Sequence, residues 1–177
     1  MKKLPLLGIC AWSGTGKTTL LKQLIPLLAA KNLRVGLIKH THHNMDVDTK
    51  GKDSYELRKA GAHQTLVASA KRWALMTETP EAETLNLGYL ASRMDETKLD
   101  LILVEGFKNE DIPKIQLFRQ GAGHPLTDLV CDSHAIAIAT DIEIPHLKIP
   151  QLDLNSPEEI SLFIQNWHLT KIENPSL

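Results

Sequence analysis

Apolar residues form two kinds of pattern that alternate along the chain. Short continuous apolar runs, which are typical of strands buried on both faces of a sheet, occur in LPLLGIC, RVGLIKH, LDLILVEGF, KIQLFR and AIAIAT. Between Lys17 and Lys31, leucines instead recur at the spacing of one helix face. Because strands alternate with crossover helices, the pattern predicts an α/β fold in which helices flank a mostly parallel sheet.

The last helix has the clearest start signal in the chain. Ser156 and Glu159 have the spacing of a capping box, and Pro157 stands in the first turn. Its apolar face is predicted to consist of Ile160, Phe163, Ile164 and Trp167. A further helix is predicted over residues 80–94, after the two short runs QTLVAS and RWALMT.

Two segments interrupt the regular alternation. Residues 64–77 contain two short strand-like runs joined by a turn, and residues 107–119 also depart from the pattern. We interpret both segments as antiparallel hairpin additions at an edge of the sheet. A short helix that begins at Asp53 or Ser54 and ends at Gly61 is expected before the first of them.

Length and composition narrow the class of protein. A chain of 177 residues with 42% hydrophobic residues suggests one domain, which we predict over residues 1–170, followed by a flexible tail at 171–177. The net charge is −1, and acidic and basic residues are interspersed. Nucleic acid is therefore not expected as a ligand, and no apolar run has the length of a membrane span.

The two cysteines and the N-terminal residues indicate the cellular compartment of the protein. Cys10 and Cys131 lie in apolar contexts without a CxxC pair, which favours buried thiols in a reducing compartment over a disulfide or a metal site. The start, MKKLPLLGICA, imitates a signal peptide, but Pro5 and Gly8 interrupt the apolar run. We therefore expect a cytoplasmic protein.

A glycine-rich segment, AWSGTGKTT, lies between the first predicted strand and the first predicted helix. Gly14 and Gly16 allow backbone angles that other residues resist, and the N–H groups at the helix start form an anion site. Lys17 is expected to reach the β- and γ-phosphates of a nucleotide as the catalytic cation. The hydroxyl group of Thr18 suits Mg²⁺.

Two positions in this segment depart from nucleotide-binding signatures. Ala11 occupies the first position of GxxxxGK[ST], where glycine is usual. Trp12 occupies the place where one class of ATPases carries a second lysine, so membership of that class is not expected. The sequence Gly-Lys-Thr and its position between strand and helix still predict a phosphate-binding loop, and with it a fold of the P-loop NTPase type.

Acidic residues follow two of the predicted strands. Glu105 ends the run LILVEGF, at the edge of a parallel sheet where ligands gather, and we predict that it holds Mg²⁺ directly or through water. Asp46, Asp48 and Asp53 follow the second strand, where a loop that senses the γ-phosphate would lie. Of these three, Asp53 is the favoured metal ligand.

Three histidines, His40, His42 and His43, lie in the same region. In an extended segment the first two share a face and could coordinate a transition metal together. No cysteine lies nearby in the sequence, so a solvated or phosphate-contacting loop is the alternative interpretation.

The sequence says less about which nucleotide base the protein would recognise. The guanine-reading tetrad NKxD is absent, because KNED at residues 108–111 has a different order. Asp141 ends the run AIAIATD, where a carboxylate could accept hydrogen bonds from the N1–H and amino groups of guanine. An ordinary strand-ending aspartate is the alternative.

Five segments taken together resemble a known family. In this order, SGTGKTTL, GLIKHTHH, GKDSYELRKAGA, RWALMTETP and LILVEGFK resemble the bacterial molybdopterin-guanine dinucleotide biosynthesis adapter proteins over about Leu6 to Asp141. The resemblance implies a homodimeric P-loop protein that binds GTP, hydrolyses it weakly and assists the enzyme that joins GMP to molybdopterin, with molybdopterin as a further ligand. It places the acidic strand end at Glu105 and the phosphate site on Ser13, Gly14, Thr15, Gly16, Lys17, Thr18 and Thr19.

Two other functions remain open from the residues alone. An ATP-dependent ligase or kinase of the dethiobiotin-synthetase type has a similar loop and a similar Glu-Gly strand end, and a metallochaperone GTPase would use the histidines. A ligase or kinase needs a cleft for a second substrate, and no clear acceptor constellation is visible. Slow hydrolysis is expected, because no glutamine is placed to orient water and the candidate second cation, Arg58, lies on a short predicted helix.

Overall fold

The structure, a computed structural model, describes residues 4–41, 45–80, 84–129 and 131–173. It divides into two compact units, one formed by the described residues up to 40 and from 87 onward, the other by those between 41 and 86. The first unit contains β1 (Leu6–Ala11), α1 (Lys17–Ala30), β2 (Val35–Lys39), α3 (Leu87–Ser92), β5 (Leu101–Glu105), β6 (Lys114–Phe118), a 3-10 turn (Leu126–Asp128), β7 (Ala135–Thr140), β8 (Gln151–Asp153) and α4 (Pro157–Glu173). The second unit contains α2 (Asp53–Lys59), β3 (Gln64–Ala68) and β4 (Trp73–Thr77).

Six strands of the first unit form one sheet in the order β2-β5-β1-β6-β7-β8. Each neighbouring pair in this sheet is parallel. The carboxyl ends of all six strands therefore lie along one edge, with β1 between β5 and β6. This arrangement confirms the predicted α/β fold with helices around a mostly parallel sheet.

The two faces of the sheet bury different side chains because residues alternate along each strand. On one face, Leu101 and Leu103 of β5 pack in a core that includes residues of α1 and α4. On the other face, Ile102 and Val104 pack with Leu87 of α3. All five residues of β5 are buried, as the continuous apolar run predicts.

The start of α4 forms half of the predicted capping box. The backbone N–H of Glu159 donates to Ser156 Oγ at 3.3 Å, and Pro157 is the first helical residue. The Glu159 carboxylate turns to the N–H of Asp153 instead, at 3.4 Å. The helix continues to Glu173, so residues 171–173 of the predicted tail are helical, and residues 174–177 lie outside the described residues.

The second unit contains an antiparallel hairpin in which β3 pairs with β4. The two predicted runs between residues 64 and 77 are thus confirmed as strands, and they form a separate two-stranded sheet. The hairpin carries large apolar side chains that are exposed in this chain, namely Leu66, Val67, Trp73 and Leu75. A lone two-stranded hairpin has little stability of its own.

The interpretation of residues 107–119 as an edge hairpin was wrong. Residues 114–118 form β6, which lies inside the parallel sheet between β1 and β7. The connection from β5 steps past β1 through residues 106–113 without a helix, which is short for a parallel crossover. The predicted helix over residues 80–94 is also shorter, with α3 at Leu87–Ser92, and β8 was not predicted.

Candidate phosphate-binding site

The loop between β1 and α1 has the geometry of a phosphate-binding loop. Gly14 has φ +82° and Gly16 has φ +96°, which are left-handed conformations that favour glycine. Thr15 is buried, and its Oγ1 donates to the Trp12 carbonyl oxygen at 2.9 Å. No side chain caps the start of α1, and its first turn contains no acidic residue, so its N–H groups and positive dipole end suit an anion.

Three charged residues meet beside this loop. Lys17 Nζ lies 3.4 Å from Glu105 Oε1, and Lys39 Nζ lies 3.3 Å from the same oxygen. Lys39 and Glu105 are partners in the register of β2 and β5, so strand pairing brings them together. The Glu105 side chain is only 10% exposed. One carboxylate between two ammonium groups leaves a net positive charge, which favours an incoming phosphate.

A close approach of two chain segments fixes the end of β5. Gly106 has φ +90°, and a Cβ at this position would lie 2.8 Å from His40 Cβ. The His40 N–H donates to the Glu105 carbonyl oxygen at 2.8 Å, and its ring lies 5.3 Å from that of Phe107. His40 therefore packs against the turn that carries Glu105, whereas His42 and His43 lie outside the described residues.

Arg119 connects the phosphate loop to the ends of the strands on the other side of β1. Its Nε donates to the Thr15 carbonyl oxygen at 3.2 Å, and a terminal nitrogen donates to Asn155 Oδ1 at 3.0 Å. The other terminal nitrogen lies 3.7 Å from Asp141 Oδ2. The second Asp141 oxygen accepts from the Gln120 N–H at 2.8 Å, so Asp141 also holds the loop after β6.

Trp12 lies at the exposed mouth of the loop. Its ring stacks on that of His124 with 4.7 Å between centroids, and Lys108 Nζ lies 5.0 Å from its centroid. The backbone of Lys108 is fixed by buried Lys114, whose Nζ donates to the carbonyl oxygens of Lys108 and Glu110, both at 2.9 Å. These contacts add a cation to the same edge of the sheet.

Neither cysteine forms a disulfide. Cys10 is buried in β1, and burial raises the pKa of its thiol. Burial also raises the pKa of the Cys131 thiol. A raised pKa disfavours the reactive thiolate. Cys10 is buried as the sequence predicts, whereas Cys131 is only partly buried.

The acidic residues of the second unit gather around one arginine. Arg58 donates to Asp46, Asp48 and Glu78 at 2.6, 2.8 and 2.9 Å. Hydrogen bonds to these carboxylates, with Asp48 first, raise the pKa of Arg58. Asp53 is the first residue of α2. Among the described residues, no group of three or more His, Cys, Asp or Glu side chains is placed to hold a metal ion.

The structure thus places Lys17 and Glu105 in contact at one edge of the sheet, because α1 begins behind β1 and β5 lies beside it. Thr18 follows Lys17 in the first turn of α1. Two charged residues of this edge were not predicted from the sequence: Lys39, the last residue of β2, and Arg119, the residue after β6. Both follow apolar runs that were recognised as strands. Their role needed the strand order, which places β2 beside β5 and β6 beside β1.

No helix among the described residues is long and apolar enough to cross a membrane.

Comparison with known proteins identifies the family of this chain. A family model described as MobB, molybdopterin guanine dinucleotide synthesis protein B, matches residues 6–141. The chain is 64% identical over 164 residues to a molybdopterin-guanine dinucleotide biosynthesis adapter protein of Escherichia coli, which covers 93% of each chain. It is 49% identical over 165 residues to a protein of the same name from Haemophilus influenzae, covering 93% of this chain and 90% of that one.

A solved structure shares the fold. The crystal structure of Bacillus subtilis MobB is 25% identical, has a TM-score of 0.71, and covers 92% of this chain and 97% of that chain. The family match extends over the phosphate loop, Glu105 and Asp141, and so includes most of the edge described above. The chain therefore belongs to the molybdopterin guanine dinucleotide synthesis protein B family.

Proposed function

We propose that this protein binds GTP, hydrolyses it weakly, and serves as an adapter for the enzyme that attaches GMP to molybdopterin. The observation that carries the proposal is the loop before α1, where Gly14 and Gly16 have positive φ and Lys17 Nζ lies 3.4 Å from Glu105. Open N–H groups, a helix dipole and a lysine together fit a triphosphate. The family's relatives carry the adapter name, which supports the biosynthetic role.

The proposed phosphate contacts come from Ser13 to Thr19. Lys17, the proposed catalytic cation, is held by Glu105 in this structure, and it would turn toward the phosphates when they bind. Glu105 would then lose its contact with Lys17. Lys39 still balances the charge of Glu105, because it lies 3.3 Å from the same oxygen.

Thr18 and Glu105 are the proposed Mg²⁺ ligands, and Asp53, the further ligand favoured by the sequence, begins α2 of the second unit. Thr18 is exposed in the first turn of α1, and Glu105 ends the neighbouring strand. Hydroxyl and carboxylate oxygens suit Mg²⁺, which keeps several waters and takes few protein ligands. The ion would neutralise charge on the phosphate oxygens.

Slow hydrolysis is supported by the environment of the available cations. Fast phosphoryl transfer needs a further positive charge on the transferring group and an oriented water molecule. Arg58, the candidate from the sequence, is bound by three carboxylates of its own unit. Arg119 is bound by Asn155 and the loop backbone. Arg58 would have to break these ion pairs before it could act, and Arg119 is held in place by its two hydrogen bonds.

A homodimer is supported by the hairpin of the second unit. Trp73 is 65% exposed and Leu66 is 59% exposed in the single chain, although such side chains are usually covered. A second copy of the chain is the proposed cover. Residues 107–119 do not form a second hairpin, so the proposed homodimer rests on β3, β4 and the family resemblance.

Family membership favours the adapter over a ligase or kinase of the dethiobiotin-synthetase type. The proposed partners are the GMP-transferring enzyme and, as a further ligand, molybdopterin. Thermal unfolding of the purified protein with Mg²⁺ and either GTP or ATP tests the nucleotide. At about 100 times the dissociation constant, GTP should stabilise the fold by about 2.7 kcal/mol. Equal or greater stabilisation by ATP would contradict the assignment of GTP.

A further inference from the structure

The charges on the two sides of β1 indicate how a nucleotide would lie. On the side of β5 and β2, Lys17, Glu105 and Lys39 form a charged group that suits a terminal phosphate and a metal ion. On the other side, β6, β7 and β8 end near Arg119, Asp141 and Asn155. Both sides belong to one edge of a parallel sheet, where ligands of such sheets bind. Since the first side suits the terminal phosphate, we expect the nucleoside on the side of β6, β7 and β8.

Arg119 is held on this second side by contacts from three directions. It donates to the loop through Thr15 O and to Asn155 Oδ1, at 3.2 and 3.0 Å. The pair with Asp141, at 3.7 Å, is longer than a hydrogen bond. An arginine has five N–H donors in a planar fork, so these two hydrogen bonds orient the fork and leave donors for a ligand. The side chain is 36% exposed.

We propose that Arg119 selects the base of the nucleotide by donating to the O6 and N7 acceptors of guanine. This inference rests on the proposed GTP site. A bidentate arginine matches that edge of guanine, whereas adenine presents an amino group in place of O6. Asp141 and Asn155 then act as positioning residues that set the plane of the guanidinium group. Arg119 supplies the base preference that the missing NKxD tetrad supplies elsewhere.

Direct recognition by Asp141 makes a different prediction. A carboxylate reader accepts from the N1–H and the 2-amino group of guanine, so it loses a contact when the 2-amino group is absent. Arg119 does not use that group. ITP has O6 and N7 but lacks the 2-amino group, so it separates the two modes of recognition.

Calorimetric titration with GTP, ITP and ATP, each with Mg²⁺, tests the proposal. For the unaltered protein, ITP should bind within about threefold of GTP, and ATP about 5- to 150-fold more weakly, which is the range of one bidentate contact. Arg119→Lys keeps the charge but loses the fork. This substitution should lower the affinities for GTP and ITP by at least about fivefold and leave the affinity for ATP within about threefold of that of the unaltered protein. The base preference should therefore be lost.

Arg93→Lys is the matched control, because Arg93 is an exposed arginine of the same unit that donates to Ser92 Oγ. It should leave all three affinities unchanged. If Arg119→Lys lowers the affinities for GTP, ITP and ATP equally, Arg119 only stabilises the loop, and the proposal is overturned. ITP binding ten or more times weaker than GTP to the unaltered protein would overturn it in favour of Asp141.

Other outcomes of these titrations separate this inference from the proposed function. If Arg119→Lys does not fold, the comparison of GTP, ITP and ATP on the unaltered protein still separates arginine from carboxylate recognition. If the unaltered protein binds none of the three nucleotides, the proposed function fails together with this inference. Binding of GTP with a preference that Arg119→Lys retains would overturn this inference alone.

Discussion

Two ion clusters of this protein have opposite charge balance. At the phosphate loop, one carboxylate, Glu105, lies between the ammonium groups of Lys17 and Lys39, which leaves an excess positive charge. In the second unit, one guanidinium group, Arg58, is bound by three carboxylates, which leaves an excess negative charge. The first cluster lies beside open N–H groups and fits an anionic ligand. The second joins a loop, a helix and the residue after a strand within one unit.

The difference shows why charge alone does not identify a site. Asp46 and Asp48 have the composition of a metal site, yet both carboxylates are hydrogen-bonded to an arginine. Lys39 is an ordinary lysine in the sequence, yet strand pairing places it against Glu105. The partners of each group, rather than its type, decide what it can bind.

Loss of Lys17 should have the largest effect. In Lys17→Ala, the affinity for GTP with Mg²⁺ should fall by at least about tenfold, because a charge-assisted contact of about 1.5–3 kcal/mol is lost. Calorimetry measures the affinity, and circular dichroism confirms that the fold is intact. Lys22→Ala, in an exposed position of the same helix, is the control and should bind normally. Unchanged GTP affinity in folded Lys17→Ala would refute the phosphate-loop assignment.

Loss of Arg58 should affect stability instead of nucleotide binding. Arg58→Met leaves three carboxylates without their shared cation, so the thermal midpoint should fall by more than about 4 °C. Differential scanning calorimetry measures this shift. Arg72→Met, at an exposed arginine of the same unit, should change the midpoint by less than about 2 °C. A midpoint that is the same in both variants would contradict the structural role of the Arg58 cluster.

The fold was largely predictable because each strand of the main sheet carries its own apolar run. β6 was misassigned because residues 106–113 lead from β5 to β6 without a helix, a length that a local pattern associates with hairpins. The contact between Lys17 and Glu105 could be anticipated from the glycine-rich motif and from the acidic end of a buried strand, and the metal role of Thr18 and Glu105 stays a prediction. Lys39 and Arg119 could not be anticipated, because their contacts depend on which strands are neighbours.

The exposed hairpin should mediate self-association. Trp73→Lys places a charge among apolar side chains of β3 and β4, so the dimer should weaken by at least about tenfold. Sedimentation over a range of micromolar concentrations measures the association. Leu169→Lys, at a half-exposed apolar position of α4, is the control and should remain dimeric. A single mass of one chain for the unaltered protein would argue against the homodimer.

Loss of the ion pair between Arg34 and Asp100 should have the smallest effect of the substitutions. Arg34 donates to both Asp100 oxygens, at 2.8 and 2.9 Å, and these hydrogen bonds lower the pKa of Asp100 to about 2. A lowered pKa stabilises the folded state above the unfolded value of about 3.9. This contribution is lost as the pH falls toward 2. Because the pair is partly exposed, Asp100→Asn should lower the thermal midpoint at pH 7 by only about 2–4 °C.

The pH dependence separates this pair from other effects of the substitution. The difference in midpoint between Asp100→Asn and the unaltered protein should shrink between about pH 4 and pH 2, where the Asp100 carboxyl becomes protonated in both folded and unfolded states. GTP affinity should not change in this variant. A difference that stays constant down to pH 2 would show that the ion pair is not its cause.

Single-turnover hydrolysis of GTP with Mg²⁺ tests the central claim most directly, because we propose that the protein binds GTP but hydrolyses it slowly on its own, with Arg58 and Arg119 already bound to other groups. The protein alone should turn over far more slowly than about 1 s⁻¹, the lower end for competent phosphoryl-transfer enzymes, and addition of the GMP-transferring enzyme should raise the rate. A turnover of about 10 s⁻¹ or more by the protein alone would contradict the adapter account and indicate a self-sufficient enzyme.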